Sequence, residues 1–240
     1  MRSMPGVIAG VACTSICGAG ALAAYAVRGP SSTLLAPSVY RGSASQRAVA
    51  LTFDDGPSES TPALLDLLEK LQVTGTFFQC GANVQRLPQI ARQVVERGHE
   101  LGNHSHTHPR FYFRSREFIG AELAQAQDAI RVVTGVLPRL FRAPFGVRWP
   151  GMGAAQRRLN LLGVMWTVIG CDWKLKAEAI FKRVLTRTEN GAIIGLHDGR
   201  ELEARPNIGD TIEAVKRLIP ALETQGYRFE TVSQLICPRN

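Results

Sequence analysis

"RAVALTFDDGPSESTPALLDLLEKLQ", Arg47 to Gln72, holds one complete structural unit. Arg47 to Phe53 is a short apolar run of strand length. Ser60 to Gln72 carries Leu64, Leu65, Leu68 and Leu71 on one helical face. Thr61 suits the N-cap of that helix and Pro62 its first turn. Between strand and helix stand two adjacent carboxylates, Asp54 and Asp55, followed by Gly56-Pro57. A surface turn needs one Asp. Two like charges side by side call for a site that divides two tasks between them.

The same alternation continues outward from this unit. "TGTFFQCG" reads as a strand and "LPQIARQVVERG" as a helix stopped by Gly98. "HELGNHS" is a short strand. "SREFIGAELAQAQDAIRVVTG" is a long helix with Phe118, Ile119, Leu123, Ala126, Ile130 and Val133 inward. "RLFRAPFG", "AAQRRLNLLG", "VMWTVIGCD", "AEAIFKRVLTRT", "AIIGLHDG", "TIEAVKRLIPALETQG" and "YRFETVSQLI" repeat the pattern. Strands alternating with helices imply a parallel sheet. Seven to eight such units predict a closed or nearly closed β/α barrel, with an open doubly wound sheet as the rival. No G-x-G-x-x-G follows the first strand, which leaves a dinucleotide site without support.

Composition narrows the function classes. The chain has 240 residues, of which 45% are hydrophobic, and a net charge of +8. The positive residues are scattered, as in "QRR" and "FKR", which argues against nucleic acid as a partner. Attraction to an anionic membrane surface or cell envelope fits better. Val7 to Val27 carries no charge and is long enough to cross a bilayer as a helix. Residues 1–28 therefore read as an uncleaved anchor, with a cleaved signal as the alternative. Residues 29–46, rich in Ser, Gly and Pro, read as a linker, and 47–240 as the catalytic domain. Arg28, Arg41 and Arg47 follow the apolar segment, and the positive-inside count taken alone argues for the reverse topology. Cys80, Cys171 and Cys237 are isolated, so a zinc knuckle has no support and no disulfide can be chosen among them.

The chemistry-bearing residues gather at strand ends. Asp54 and Asp55 end the first strand and His104, His106 and His108 follow the third. Arg142, Asp172 and the His197–Asp198 pair end later ones. In both candidate architectures active residues belong at that rim. Two imidazoles and a carboxylate make a common catalytic zinc set. One of the two aspartates can hold a metal while the other stays free as a base. Metal lowers the pKa of water enough to make it a nucleophile near neutrality. His197 is then the candidate proton donor, with Asp172 to fix its tautomer or raise its pKa, and Arg142 to orient the free aspartate.

"TFDDGP", "HSHTH", "RAPFG", "DW" and "LHD" occur in that order. With them the chain resembles the polysaccharide deacetylase family, carbohydrate esterase family four, from roughly Ala48 to Leu235. The resemblance implies a distorted (β/α) barrel that removes N- or O-acetyl groups from a carbohydrate with a divalent metal. Zinc is the first choice, with cobalt, nickel or manganese as alternatives. It implies Asp54 as base, Asp55, His104 and His108 as metal ligands, and Arg142 as the support of Asp54. It implies His197 as acid tuned by Asp172, with Trp173 and Phe145 lining the substrate pocket. His106 matches a variable position and is not expected to bind metal. Where the family has an aliphatic residue two before the last histidine, this chain has Gly195, expected to leave a wider pocket. Envelope-associated members imply an exported domain, at the periplasm or cell surface, anchored through the N-terminal helix or secreted after cleavage. The substrate implied is a cell-envelope glycan or sugar lipid. The rival readings are a carbohydrate-binding barrel without turnover and a cytoplasmic amidase of a small nitrogen compound.

Overall fold

Strand β2 (Ala48–Gly56) is buried along its whole length and organises a sheet in which all strand pairs are parallel. On one side of it run β3 (Thr76–Gln79), β4 (Glu100–Asn103), β5 (Leu140–Phe141), β6 (Leu162–Val164) and β1 (Ser38–Val39). On the other side run β8 (Ala192–His197) and β7 (Val168–Ile169), while β9 (Arg228–Phe229) pairs with the start of β2. The computed structural model describes residues 18–237.

The sheet must curl. β6 and β7 are consecutive in the chain yet lie near opposite margins of the sheet. Only residues 165–167 join them, and four Cα steps reach at most about 15 Å. "VMWTVIGCD", Val164 to Asp172, was expected as one run; it is divided between the end of β6 and β7, because the chain crosses from one margin to the other at Trp166. Residues around β1 occupy the gap. Met165 N donates to Val39 O, Thr167 Oγ1 donates to Tyr40 O, and Arg41 makes an antiparallel bridge with Ala192. The barrel expected from the alternation is therefore present, distorted as the family resemblance implied, and closed by irregular chain rather than by an unbroken ladder. Part of the 29–46 stretch, expected as a linker, thus lies on the sheet.

Helices cover the outside: α2 (Thr61–Lys70), α4 (Pro88–Glu96), α5 (Arg116–Thr134), α6 (Met152–Leu159), α7 (Ala177–Leu185) and α8 (Gly209–Thr224). Two short helices, α3 (Gly81–Arg86) and α9 (Val232–Ile236), accompany them. The period of two along β2 divides its side chains between two layers. Val49, Leu51 and Phe53 pack with Leu64, Leu65 and Leu68 of α2. Ala48 and Ala50 pack with Phe78 and Ile193 in a second cluster.

Some local expectations need correction. Ser60, not Thr61, precedes the first helical residue of α2; Thr61 Oγ1 instead donates to Asp198 Oδ2 at 2.7 Å. Phe118 of α5 is 36% exposed, at the edge of the apolar face rather than inside it. Gly98 does follow α4 with a φ of 78°, a conformation that favours glycine. Cys80, Cys171 and Cys237 are free thiols.

Residues 18–28 form a helix, α1, at the start of the described chain. Residues 7–17 of the apolar N-terminal segment lie outside the described residues. Among the described residues no helix is long and apolar enough to cross a membrane.

Candidate active site

Alternation along β2 sends Asp54 to the same side as Ala48 and Ala50 and would send Asp55 to the opposite side. The structure resolves this with a bulge. Asp54 pairs with Phe78 but Gly56 pairs with Gln79, so Asp55 is the extra residue, and its φ is 72°. Bulges re-aim side chains beside active sites, and aspartate tolerates the left-handed region better than most residues. Both carboxylates consequently reach one cavity of about 1000 Å³.

Asp55 Oδ1 lies 3.2 Å from His104 Nε2 and 3.0 Å from His108 Nε2. It is buried yet accepts no hydrogen bond. Its other oxygen, Oδ2, accepts from Glu201 N at 2.9 Å. His104 Nδ1 lies 2.8 Å from Arg142 O. A carbonyl only accepts, so Nδ1 carries the proton and Nε2 presents a lone pair. Three ligand atoms thus converge, all within 4.8 Å of one another. An orphaned carboxylate oxygen facing imidazole nitrogen fits a divalent cation of the zinc, cobalt or nickel kind. Burial opposes charge on Asp55; with a proton on the facing imidazole nitrogens, His104 and His108 outweigh it and hold the carboxyl well below its ordinary range, and a cation would take the place of that proton.

The histidine loop is built by polar groups behind it. Asn103 Oδ1 accepts from Ser105 N at 2.9 Å, and Ser105 Oγ accepts from His108 N at 3.2 Å. Glu122 of α5 accepts from His106 N, Thr107 N and Thr107 Oγ1 at 2.9, 2.8 and 2.7 Å. His106 points away, toward a separate surface hollow beside Gln85 and Asp128.

Asp54 is held from the barrel interior. Arg142, fully buried, donates from Nη1 to Asp54 Oδ1 and to Thr52 Oγ1, both at 2.7 Å. Nε and Nη2 donate to Val164 O and Met165 O at 3.2 and 3.3 Å. Its guanidinium lies 4.2 Å from the centre of the Phe78 ring. Burial lowers the pKa of Arg142 and Asp54 pulls it back up; a guanidinium keeps its charge throughout.

His197 ends β8. Asp172 Oδ1 lies 2.8 Å from His197 Nδ1, while Oδ2 accepts from His197 N at 2.9 Å and Thr211 Oγ1 at 2.8 Å. Nδ1–H therefore points at the carboxylate, which leaves Nε2 as the other proton-carrying atom. Burial would lower the pKa of His197, but Asp172 overrides it and pushes it up to about 9. Burial likewise works against the charge on Asp172, and His197 and Thr211 outweigh it. Trp173, half exposed, stands edge-on at 5.3 Å from His197. Beyond them Asp198 is buried and raised to about 7, mainly by burial, with Asp55 and Asp54 adding to it against the Thr61 hydrogen bond.

The cavity is lined by Asp54, Asp55, His104, His108, Phe145, Trp173 and His197 among the expected residues. Arg142 and Asp172 stand behind them. Gly195 does not line it: a Cβ at that position would meet Ile169 and Trp166 at 3.6 Å. Those two side chains form the wall that was expected to be missing. Sequence reading passed over Glu122, Asn83, Trp166 and the Glu201 N–H. Glu122 left one signal, a carboxylate on the apolar stripe of α5 between Ile119 and Leu123. Asn83, which donates to Asp55 O at 2.8 Å and Glu201 O at 2.9 Å, left none.

Comparison with known proteins agrees with this geometry. The family model described as Polysaccharide deacetylase matches residues 41–164. A chitooligosaccharide deacetylase of Bradyrhizobium sp. (strain ANU 289) is 36% identical over 198 residues, 79% of this chain and 90% of the relative. The solved Bc1960 peptidoglycan N-acetylglucosamine deacetylase superposes with a TM-score of 0.77 at 29% identity, covering 83% of this chain and 92% of that one. BA3943 from Bacillus anthracis, a CE4 family pseudoenzyme, superposes with a TM-score of 0.76 at 29% identity, covering 84% and 70%. The chain belongs to the polysaccharide deacetylase family and is a hydrolase of carbon–nitrogen bonds.

Proposed function

We propose that the protein removes N-acetyl groups from an N-acetylglucosamine-containing glycan, chitooligosaccharide or peptidoglycan, with a divalent metal held by Asp55, His104 and His108. One observation carries the reading: the bulge at Asp55 sets a candidate ligand and a candidate base, both on adjacent residues, onto one cavity with His197. The metal would supply Lewis-acid activation of the amide and of the attacking water.

The chain's own residues account for the proton traffic. Asp54, fixed by Arg142 at 2.7 Å, takes a proton from the attacking water. His197, kept protonated by Asp172, gives a proton to the leaving nitrogen through Nε2. Trp173 and Phe145 bound the space around the acetyl group and sugar. The binding-module reading, kept alive by the BA3943 pseudoenzyme, is disfavoured because both proton carriers stand on the same cavity as the ligands. The charge-free segment Val7–Val27 supports a domain exported at the envelope, which fractionation of cells into cytoplasm and envelope checks; recovery in the cytoplasm supports the amidase reading instead.

Acetate release from chitotetraose and from peptidoglycan fragments, with zinc or cobalt supplied, tests the activity. Asp55→Ala loses bound metal and turnover together. Asp54→Asn retains metal while kcat falls by about 10²–10⁴-fold. Wild-type turnover by Asp54→Asn overturns the assignment of the base.

A further inference from the structure

We propose that Arg28 and Arg110, both in contact with Phe145 at the mouth of the cavity, bind an anionic group of the glycan, a carboxylate set apart from the amide that is cleaved. The inference rests on the deacetylase reading and narrows its substrate to a charged glycan. Arg110 is exposed, with its guanidinium 4.4 Å from the centre of the Phe145 ring. Stacking occupies the face of a guanidinium and leaves its N–H edge free. Arg28 donates from Nη2 to Phe145 O at 3.3 Å, and both arginines line the cavity. Among the described residues neither is paired with an acid, in contrast to Arg142, which has Asp54 at 2.7 Å.

Arg28 is not a loose surface side chain. Buried Arg148 grips the backbone on both sides of it: its N donates to Val27 O at 3.0 Å and its Nη2 to Gly29 O. Nη1 of Arg148 also donates to Ser32 O and to Ser38 Oγ, which fastens the following segment to the barrel. A buried cation spent on main-chain carbonyls fixes where Arg28 enters the mouth. The Phe145 platform is fixed as well, with His108 packed edge-on at 4.7 Å. The loop after β8 brings Glu201, Glu203 and Arg200 to the mouth, with the Arg200 guanidinium donating to Gly199 O and Asp172 O, whereas Arg28 and Arg110 meet at Phe145. Two guanidinium edges beside an aromatic ring suit a carboxylate borne next to a sugar ring.

Titration calorimetry in the Asp54→Asn background reads binding without hydrolysis. The probes are neutral N-acetylated chitotetraose, a peptidoglycan tetrasaccharide with free lactyl carboxylates, its methyl ester, and the same glycan with stem peptides. The free carboxylate is expected to tighten binding about tenfold over the neutral probe at low salt. Arg28→Gln and Arg110→Gln each lower that ratio, and the ester binds like the neutral probe. Tightening by the stem peptide alone, with lactyl ester and acid equal, assigns the anion to the peptide. Equal affinities for all charged and neutral probes, or a ratio untouched by both substitutions, overturns the inference. A purely structural role for either arginine would weaken all probes alike. Acetate release by the unsubstituted protein reports the deacetylase reading separately, because the binding ratios do not depend on turnover.

Discussion

The main-chain carbonyl of Arg142 accepts from His104 Nδ1 at 2.8 Å, while the guanidinium of the same residue holds Asp54 at 2.7 Å. One residue therefore orients a metal-ligand imidazole through its backbone and the candidate base through its side chain. Substitution separates the two. Arg142→Lys keeps the carbonyl, and Lys cannot reproduce the planar donor set that serves Asp54, Thr52, Val164 O and Met165 O at once. The expected result is a fall in kcat of about 10²-fold or more with metal affinity changed much less. Arg142→Ala strands the buried Asp54 and costs about 3–5 kcal/mol of stability, read as a lower denaturation midpoint. Parallel loss of metal and kcat in the lysine variant would show that the guanidinium shapes the ligand set as well.

Much of this site was legible from residue type and position. Asp54, Asp55, His104, His108, Arg142, Asp172 and His197 are ionisable residues at the ends of apolar runs, and a parallel barrel collects such ends at one rim. What escaped depends on backbone geometry or on distant partners. The bulge at Asp55 has no compositional mark, since the dipeptide Asp-Asp reads the same in regular strand. Ser38–Val39 is too short to show a period and sits in a Ser/Pro-rich stretch, so its place beside β6 was invisible. Gly81–Arg86 offers six residues, less than a periodic window needs. Trp166 and Thr167 are good strand formers, and nothing local says that the chain crosses between sheet margins there. Gly195 was read as an absent wall because the family carries an aliphatic residue there; the wall comes from Trp166 and Ile169, whose place beside β8 no local pattern shows.

His197 gives the site a defined pH response. Its folded pKa of about 9 lies above the ordinary 6.5. It is thus charged near neutrality, and its ion pair with Asp172 contributes stability fully below pH 6.5 and loses it as pH rises through about 9. If His197 is the acid, kcat declines over the same basic limb. Asp172→Asn removes the attraction and leaves burial, which favours neutral imidazole. The basic limb of the kcat–pH profile then moves to lower pH by about 1–2 units. A basic limb that stays in place in Asp172→Asn assigns the proton donor elsewhere.

Glu122 tests how far the ligands depend on support from behind. Its carboxylate takes three donors from the His106–Thr107 turn. Glu122→Ala leaves those donors unmet, at about 1–3 kcal/mol of stability. It also frees the turn that carries His108, so metal affinity should drop about 10- to 100-fold. Activity of the variant should return when excess zinc or cobalt is supplied, because no reacting group has been removed. Failure of added metal to restore turnover in a folded Glu122→Ala protein would place Glu122 closer to the chemistry than its hydrogen bonds suggest.

Gly195 faces the wall made by Trp166 and Ile169, and the gap there admits one methyl group. A Cβ on residue 195 would stand 3.6 Å from Ile169 Cδ1 and from Trp166 Cβ, ordinary van der Waals contact. Gly195→Ala should therefore fold normally and gain up to about 1 kcal/mol, since glycine is costly inside a strand. KM for an N-acetylated oligosaccharide should shift by less than about twofold. Gly195→Leu is different, because its branch must displace Trp166. Trp166 lies 5.8 Å from the Arg142 guanidinium, which holds Asp54. The displacement reaches the base, so kcat should fall in the leucine variant while the alanine variant stays active. Were Gly195→Ala to change KM as strongly as Gly195→Leu, the acetyl group would have to sit against residue 195 itself.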